Sequence, residues 1–172
     1  LIYDINVQGT RNILESALEA GIEKVVYTST VGCIGLSKNG TPANEDQPMN
    51  PSFLCNDYKL SKYQAEQVAL ELFGRGLPVV IVNPSTPVGP RDIKPTPTGK
   101  IILDFMTHKM PAYIDTGLNL IDVVDCARGH ILAEAKGQPG ERYILGNKNM
   151  SLKEILLTLE VLTGIKAPRI KM

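Results

Sequence analysis

Two short apolar runs, Lys24-Val25-Val26-Tyr27-Thr28-Ser29 and Pro78-Val79-Val80-Ile81-Val82, most constrain what this chain can fold into. Both are rich in β-branched residues and lack polar alternation, the pattern of a strand buried on both faces, as in a parallel sheet. Between them Asn56-Asp57-Tyr58-Lys59-Leu60-Ser61-Lys62 opens a helical segment that Gly74-Arg75-Gly76 closes. Ala65, Ala69 and Leu72 give that helix an apolar stripe fit to lie on a sheet. Upstream, Asn6, Thr10, Ile13 and Ala17 share one helical face, and Gly21 supplies a stop. Strands alternating with helices make the fold class α/β with a parallel sheet.

The stretches after the two strands are irregular. From Val31 to Asp57 the chain is punctuated by Gly32, Gly35, Gly40, Pro42, Pro48 and Pro51. After Val82 comes Asn83-Pro84-Ser85-Thr86-Pro87-Val88-Gly89-Pro90-Arg91, whose prolines read as a stiff loop with no further strand. Loops at the carboxyl ends of parallel strands are where α/β proteins build sites. Further on, Thr98 to Lys109 reads as a helix and Ala112 to Asp115 as a short strand. Asn119 to Val123 reads as a strand that delivers Asp125 as the N-cap of a helix reaching Ala135. Glu141 to Leu145 is another strand, and Ser151-Leu152-Lys153-Glu154 is a capping box for a last helix that stops at Gly164.

Composition narrows the function classes. Lys plus Arg and Asp plus Glu each number 18, so no net field favours nucleic acid or an anionic membrane. No apolar run is long enough to cross a bilayer, and the start carries no signal-peptide pattern. Cys33, Cys55 and Cys126 are odd in number and scattered, which suits free thiols in a reducing cytoplasm. His108 and His130 lie far apart, so no metal site is expected.

The chemistry concentrates at the start of the central helix. Four residues' separation stacks Tyr58 and Lys62 on one face, Cβ atoms roughly 5–6 Å apart. An ammonium that close favours the phenolate, which suits Tyr58 as a general acid or base. The plainer reading of the pair is a half-buried tyrosine beside a solvated lysine. Thr30 ends the strand before this helix and Asn83-Pro84 ends the strand after it. In a parallel sheet those ends share one edge, so a hydroxyl, a phenol and an ammonium can meet there and polarise a carbonyl or alcohol oxygen.

The chain resembles the extended short-chain dehydrogenases/reductases, the NAD-dependent epimerase/dehydratase group that includes nucleotide-sugar epimerases and dihydroflavonol reductases. The pieces that carry the resemblance are Asn6-Val7-Gln8-Gly9-Thr10, Val26-Tyr27-Thr28-Ser29-Thr30, Tyr58-Lys59-Leu60-Ser61-Lys62, Asn83-Pro84-Ser85, Gly89-Pro90 and Ile121-Asp122-Val123-Val124-Asp125. They cover nearly the whole chain, and the run from Val82 to Asn119 is most similar to hopanoid-associated sugar epimerases. The resemblance implies NAD or NADP as cofactor and a sugar-like substrate. It assigns Tyr58 as acid/base, Lys62 to the nicotinamide ribose hydroxyls and to tuning Tyr58, and Thr30 to the substrate oxygen. Asn6 would lie near the nicotinamide and Asn83, Pro84 and Ser85 would line its carboxamide pocket, while Thr28 and Ser29 would bind the cofactor or, equally, cap the strand end. Cys33 and Arg91 stand as substrate contacts, against plainer readings as a buried thiol and a surface arginine. It also allows a homodimer in which the helix before the first strand and the Tyr58 helix form a four-helix bundle.

One departure is large. The Gly-rich turn that cradles the dinucleotide pyrophosphate is missing, and Gly32 and Gly35 lie on the wrong loop with no helix start after them. The chain therefore resembles the C-terminal part of a family member. Residues 1–92 would be the later part of a Rossmann-type NAD(P)-binding domain, and 93–172 mainly a small α+β substrate-binding portion with one segment returning to the sheet. The expected function is an epimerase or oxidoreductase acting on a sugar-like alcohol. The alternatives are a dihydroflavonol-reductase-like ketone reductase and, in another class, a non-catalytic binding fragment.

Overall fold

In the computed structural model, residues 1–37 and 41–172 are described; Gly40, read above as loop punctuation, lies outside them. In chain order the elements are α1 (Gly9–Glu19), β1 (Val25–Thr28), α2 (Asp57–Gly74), β2 (Val79–Pro84), β3 (Thr86–Val88) and α3 (Pro97–Met106). Then come β4 (Ala112–Tyr113), β5 (Gly117–Asp122), α4 (Val123–Lys136), β6 (Arg142–Leu145), β7 (Lys148–Ser151), α5 (Leu152–Thr163) and β8 (Ile170–Lys171). A π-helical stretch, Asp4–Gln8, runs directly into α1. The chain forms two compact units, Leu1–Pro84 with Ala127–Leu145, and Ser85–Cys126 with Gly146–Met172.

In the first unit β1, β2 and β6 form a parallel sheet with β2 in the middle. Val79, Val80, Ile81 and Val82 are fully buried because alternate side chains face alternate layers. Val79 and Ile81 pack with Leu14 of α1 and with Val68, Ala69 and Leu72 of α2. Val80 and Val82 pack with Ala133 of α4 on the other face. Each of these four side chains contributes about 2 kcal/mol by leaving water. On α1 Ile13 is exposed, and Leu14, with Val7, Ala17 and Leu18 beside it, faces the core.

Helix α2 forms where the sequence supplies a start, a stripe and a stop. Asn56 holds extended backbone angles and its Oδ1 accepts a hydrogen bond from the Lys59 amide at 2.8 Å. That satisfies one of the four orphan donors of the first turn. Ala65, Ala69 and Leu72 are fully buried, and Gly76 at φ +102° turns the chain where an L-residue would be strained.

In the second unit β5 pairs parallel with β3 and antiparallel with β7, and β4 pairs parallel with β8. Its core gathers Phe105, Tyr113, Leu152, Leu156 and Ala167. The capping box stands as read: Ser151 Oγ accepts from the Glu154 amide, Glu154 accepts from the Ser151 amide, and Gly164 closes α5 in the left-handed region. Two readings need correction. The prolines do not end strand structure, since β2 runs through Pro84 and Pro87 sits inside β3. Pro84 falls beyond the end of β1, where β2 has a neighbour on one side alone, and β3 is an edge strand, so neither missing N–H is needed. Helix α4 is capped by Asp122, whose Oδ1 accepts from the Val124 amide at 2.7 Å, while Asp125 sits inside the first turn. Strands β7 and β8 lay in segments too polar to read as strands.

Candidate active site

The site is built where β1 and β2 end and α2 begins, all within the first unit. Lys62 leaves α2 one turn after Tyr58, and its Nζ donates to the Thr28 carbonyl oxygen at 3.2 Å. The same ammonium stands 5.5 Å from the centre of the Tyr27 ring, within cation–π range. Burial pushes Lys62 below the usual lysine range, while negative charge at Cys33 and Glu66 works the other way. Tyr58 is 55% exposed and open to a partner from outside.

The first turn of α2 is braced from α1's side. Asn6, in the π-helical stretch, donates through Nδ2 to Ser61 Oγ at 2.9 Å, and Ser61 donates to the Tyr58 carbonyl at 2.9 Å. Ser61 has no exposure at all, so this chain of bonds fixes the backbone that carries the phenol. Asn6 thus acts on Tyr58 through Ser61.

Thr30 is extended, at φ −160° and ψ 150°, and opens a short 3₁₀ turn, Val31–Cys33. Its Oγ1 accepts from the Gly32 amide at 3.2 Å, which leaves its O–H to donate elsewhere. Ser29 is turned inward and donates to Cys33 Sγ at 3.4 Å. Thr28 Oγ1 lies 3.0 Å from His130 Nε2. Cys33 is fully buried, and desolvation pushes its thiol up to about 11, so it packs the turn and is out of a substrate's reach.

Asn83 is also fully buried, and its Nδ2 donates to the Thr30 carbonyl at 3.0 Å and to Glu66 Oε2 at 2.8 Å. Two acceptors on one side fix the amide's orientation, and Asn83 Oδ1 is left buried without a partner. A buried orphan acceptor is costly unless a ligand N–H meets it. Pro84, the last residue of β2, belongs to this unit too. Ser85 and Arg91 belong to the other unit. Ser85 Oγ is likewise buried and unpartnered, and Arg91, at φ +73°, lines a cavity of about 450 Å³ with Asp92, Thr96, Gly99 and Val123.

Three residues of this site escaped the sequence reading. Glu66 is fully buried on α2 one turn beyond Lys62, and Arg142 of β6 pairs with it at 3.4 Å. Arg142 also donates to the Glu45 carbonyl, and the Glu45 carboxylate accepts from the Ile144 amide at 2.9 Å. The available signal was a lone carboxylate interrupting an apolar stripe. Among the described residues no group of three His, Cys, Asp or Glu could hold a metal, and no helix is long and apolar enough to cross a membrane.

An NAD(P) nicotinamide fits the groups present at this end: a buried orphan amide oxygen, an ammonium and an exposed phenol. No Gly-rich turn leading into a helix is among these residues to receive a pyrophosphate.

The profile of the NAD dependent epimerase/dehydratase family matches residues 1–146. A putative dihydroflavonol 4-reductase of Synechocystis is 54% identical over 172 residues, 98% of this chain and 50% of that protein. Among solved structures, gox2253 superposes with a TM-score of 0.95 at 51% identity, covering 99% of this chain and 52% of that one. A nucleoside-diphosphate-sugar epimerase of Pseudomonas aeruginosa follows at a TM-score of 0.87 and 28% identity, covering 97% and 56%. The chain thus spans about half the length of these relatives. With a parallel sheet, a Tyr58–Lys62 helix beside its strand ends and a family match over most of its length, it belongs to the NAD-dependent epimerase/dehydratase family.

Proposed function

We propose that the protein containing this chain moves a hydride between NAD(P) and a secondary alcohol or ketone carbon of a sugar-like substrate, with Tyr58 as general acid/base. The observation that supports the reading is that Lys62, one helical turn after Tyr58, is anchored on the Thr28 carbonyl while Asn83 holds the Thr30 carbonyl beside it. The cofactor, when bound, supplies or accepts the hydride. In the reducing direction the Thr30 hydroxyl donates a hydrogen bond to the substrate oxygen and Tyr58 delivers the proton to it. The Lys62 ammonium stabilises the phenolate that remains and is free to hold ribose hydroxyls. Asn83 Oδ1 is the acceptor proposed for the nicotinamide carboxamide. Within the second unit, Arg91 and the 450 Å³ cavity it lines are proposed as substrate contacts. Exposed Ile5 and Ile13 beside the Tyr58 helix support the helix-bundle homodimer.

In the intact protein Tyr58→Phe should lower turnover roughly 10²–10⁴-fold, the range for losing general acid/base catalysis. Turnover within tenfold of wild type removes Tyr58 from the mechanism. A simple ketone reductase is the second reading, favoured by the relative named as a putative dihydroflavonol 4-reductase. A product epimerised with no net change in NADH absorbance supports the epimerase; stoichiometric NAD(P)H consumption supports the reductase.

A further inference from the structure

We propose that Glu66 is a positioning residue for this chemistry, whose buried carboxylate holds the Asn83 amide so that Asn83 pins the Thr30 backbone. The inference rests on the hydride-transfer reading for its kinetic consequence, but the anchor itself stands on geometry. Backbone pairing between β1 and β2 ends at Thr28 and Val82, with one more bond from the Ser29 amide to the Val82 carbonyl at 2.8 Å. At Thr30 the ladder has run out. The Asn83 side chain supplies the next rung, Nδ2 to the Thr30 carbonyl at 3.0 Å. An unanchored amide could rotate and exchange its donor for its acceptor, which would place two oxygens face to face. Glu66 Oε2, at 2.8 Å from the same Nδ2, forbids that rotation, because a carboxylate accepts and cannot donate.

The arrangement joins the three elements that carry the chemistry. Glu66 stands on α2 with Tyr58 and Lys62, Asn83 on β2, and Thr30 on the segment after β1. Arg142 from β6 neutralises the carboxylate, so the anchor is not left as a bare buried charge. The charged and titratable groups around it are Arg142 on β6, Lys62 on α2, Cys33 on the turn after β1 and Tyr27 on β1. Negative charge at Glu66 also favours the protonated state of Lys62, against the burial that lowers it. Thr30 then has two tethers, Asn83 on its carbonyl and the Gly32 amide on its Oγ1, and its hydroxyl direction follows from both.

The test uses the intact protein and four variants, Glu66→Gln, Glu66→Ala, Asn83→Ala and Glu66→Ala with Asn83→Ala. Glu66→Ala should lower kcat by about 10- to 100-fold, the scale for a catalytic group displaced by an ångström, with KM changed less than threefold. Asn83→Ala should lower kcat at least as far and also weaken NAD(P)H binding, because it removes the carboxamide acceptor too, and the double variant should be no worse than Asn83→Ala, since both break one linkage. Glu66→Gln keeps an acceptor for Nδ2 but adds a donor that a rotated Asn83 amide could meet, so its turnover should lie between that of wild type and that of Glu66→Ala. If Glu66→Ala does not fold, Glu66→Met with Arg142→Met replaces both charges by apolar side chains and should show the same loss. A kcat for the folded variant within twofold of wild type, or additive losses, overturns the proposal. A second readout does not depend on activity: the Asn83 side-chain amide protons, followed by NMR, should exchange slowly in wild type and Glu66→Gln and rapidly in Glu66→Ala. Protection retained in Glu66→Ala overturns the anchor even if Tyr58→Phe has shown the hydride-transfer reading to be wrong.

Discussion

Lys62 illustrates how function and stability pull apart at a single residue. Its folded-state pKa is lowered by burial, so the native state binds the proton less well than the unfolded chain does. The resulting cost is present at neutral pH and is relieved as pH rises towards the ordinary lysine value. The stability difference between Lys62→Met and wild type should therefore shift in favour of wild type as pH rises from neutrality towards about 10.5, while NAD(P)H affinity and turnover fall. Thermal melts over about pH 7–10 beside NADH titrations check it; a difference that does not change with pH refutes the burial account. Cys33 runs in the opposite direction. Its thiol is raised from 9.0 to about 11 by burial, so its contribution is intact below 9.0 and is lost as pH climbs through about 11. Relative to Cys33→Ala, wild type should lose on the order of 2 kcal/mol across that window, read by urea melts at each pH. A flat difference would mean that the thiol ionises as easily in the native state as in the unfolded chain.

Helix α2 is the element on which the candidate site depends, and its N-cap is where stability and catalysis separate. Asn56→Ala removes the acceptor for the Lys59 amide and should cost about 1 kcal/mol. Ser151→Ala at the cap of α5 removes an equivalent bond and should cost a similar amount. Only the first should lower kcat, because Tyr58 lies in the turn that Asn56 closes. Equal kcat in the two variants would show that the first turn of α2 need not be fixed for Tyr58 to work. The α5 cap is legible in the sequence as a capping box, whereas the Asn56 cap, a short polar residue three positions before the amide it accepts, emerges with the structure. The α4 cap lies three residues earlier than expected because Asp122 and Asp125 are both short acidic residues at the strand-to-helix junction. The choice depends on where β5 stops pairing, at Asp122 opposite Val88. The prolines misled for a related reason: a missing N–H ends a strand only where a neighbour needs it, and neighbours are a matter of tertiary structure.

At the scale of the molecule, the described residues offer no Gly-rich turn into a helix N-terminus, and β1 is an edge of its sheet. Titrated alone with NAD or NADP, this chain should show no micromolar binding by calorimetry, and light scattering should report association through the β1 edge. A monomer that binds either dinucleotide at micromolar affinity would sink the expectation. The sequence by itself determined the α/β class, the central helix with its start and stop, and the Tyr58–Lys62 pair beside the ends of two neighbouring strands. Those features are written in local periodicity and in spacings of a few residues. Tertiary structure alone decided that Leu14 rather than Ile13 faces the core, that Cys33 is sealed off, and that Ser85 and Arg91 fall in the other unit. It alone brought Arg142 to Glu66 across 76 positions and to Glu45 across 97. No local pattern records such a contact, because the energy that holds a buried carboxylate comes from partners delivered by other strands, and their identity is fixed only once the sheet has chosen its order.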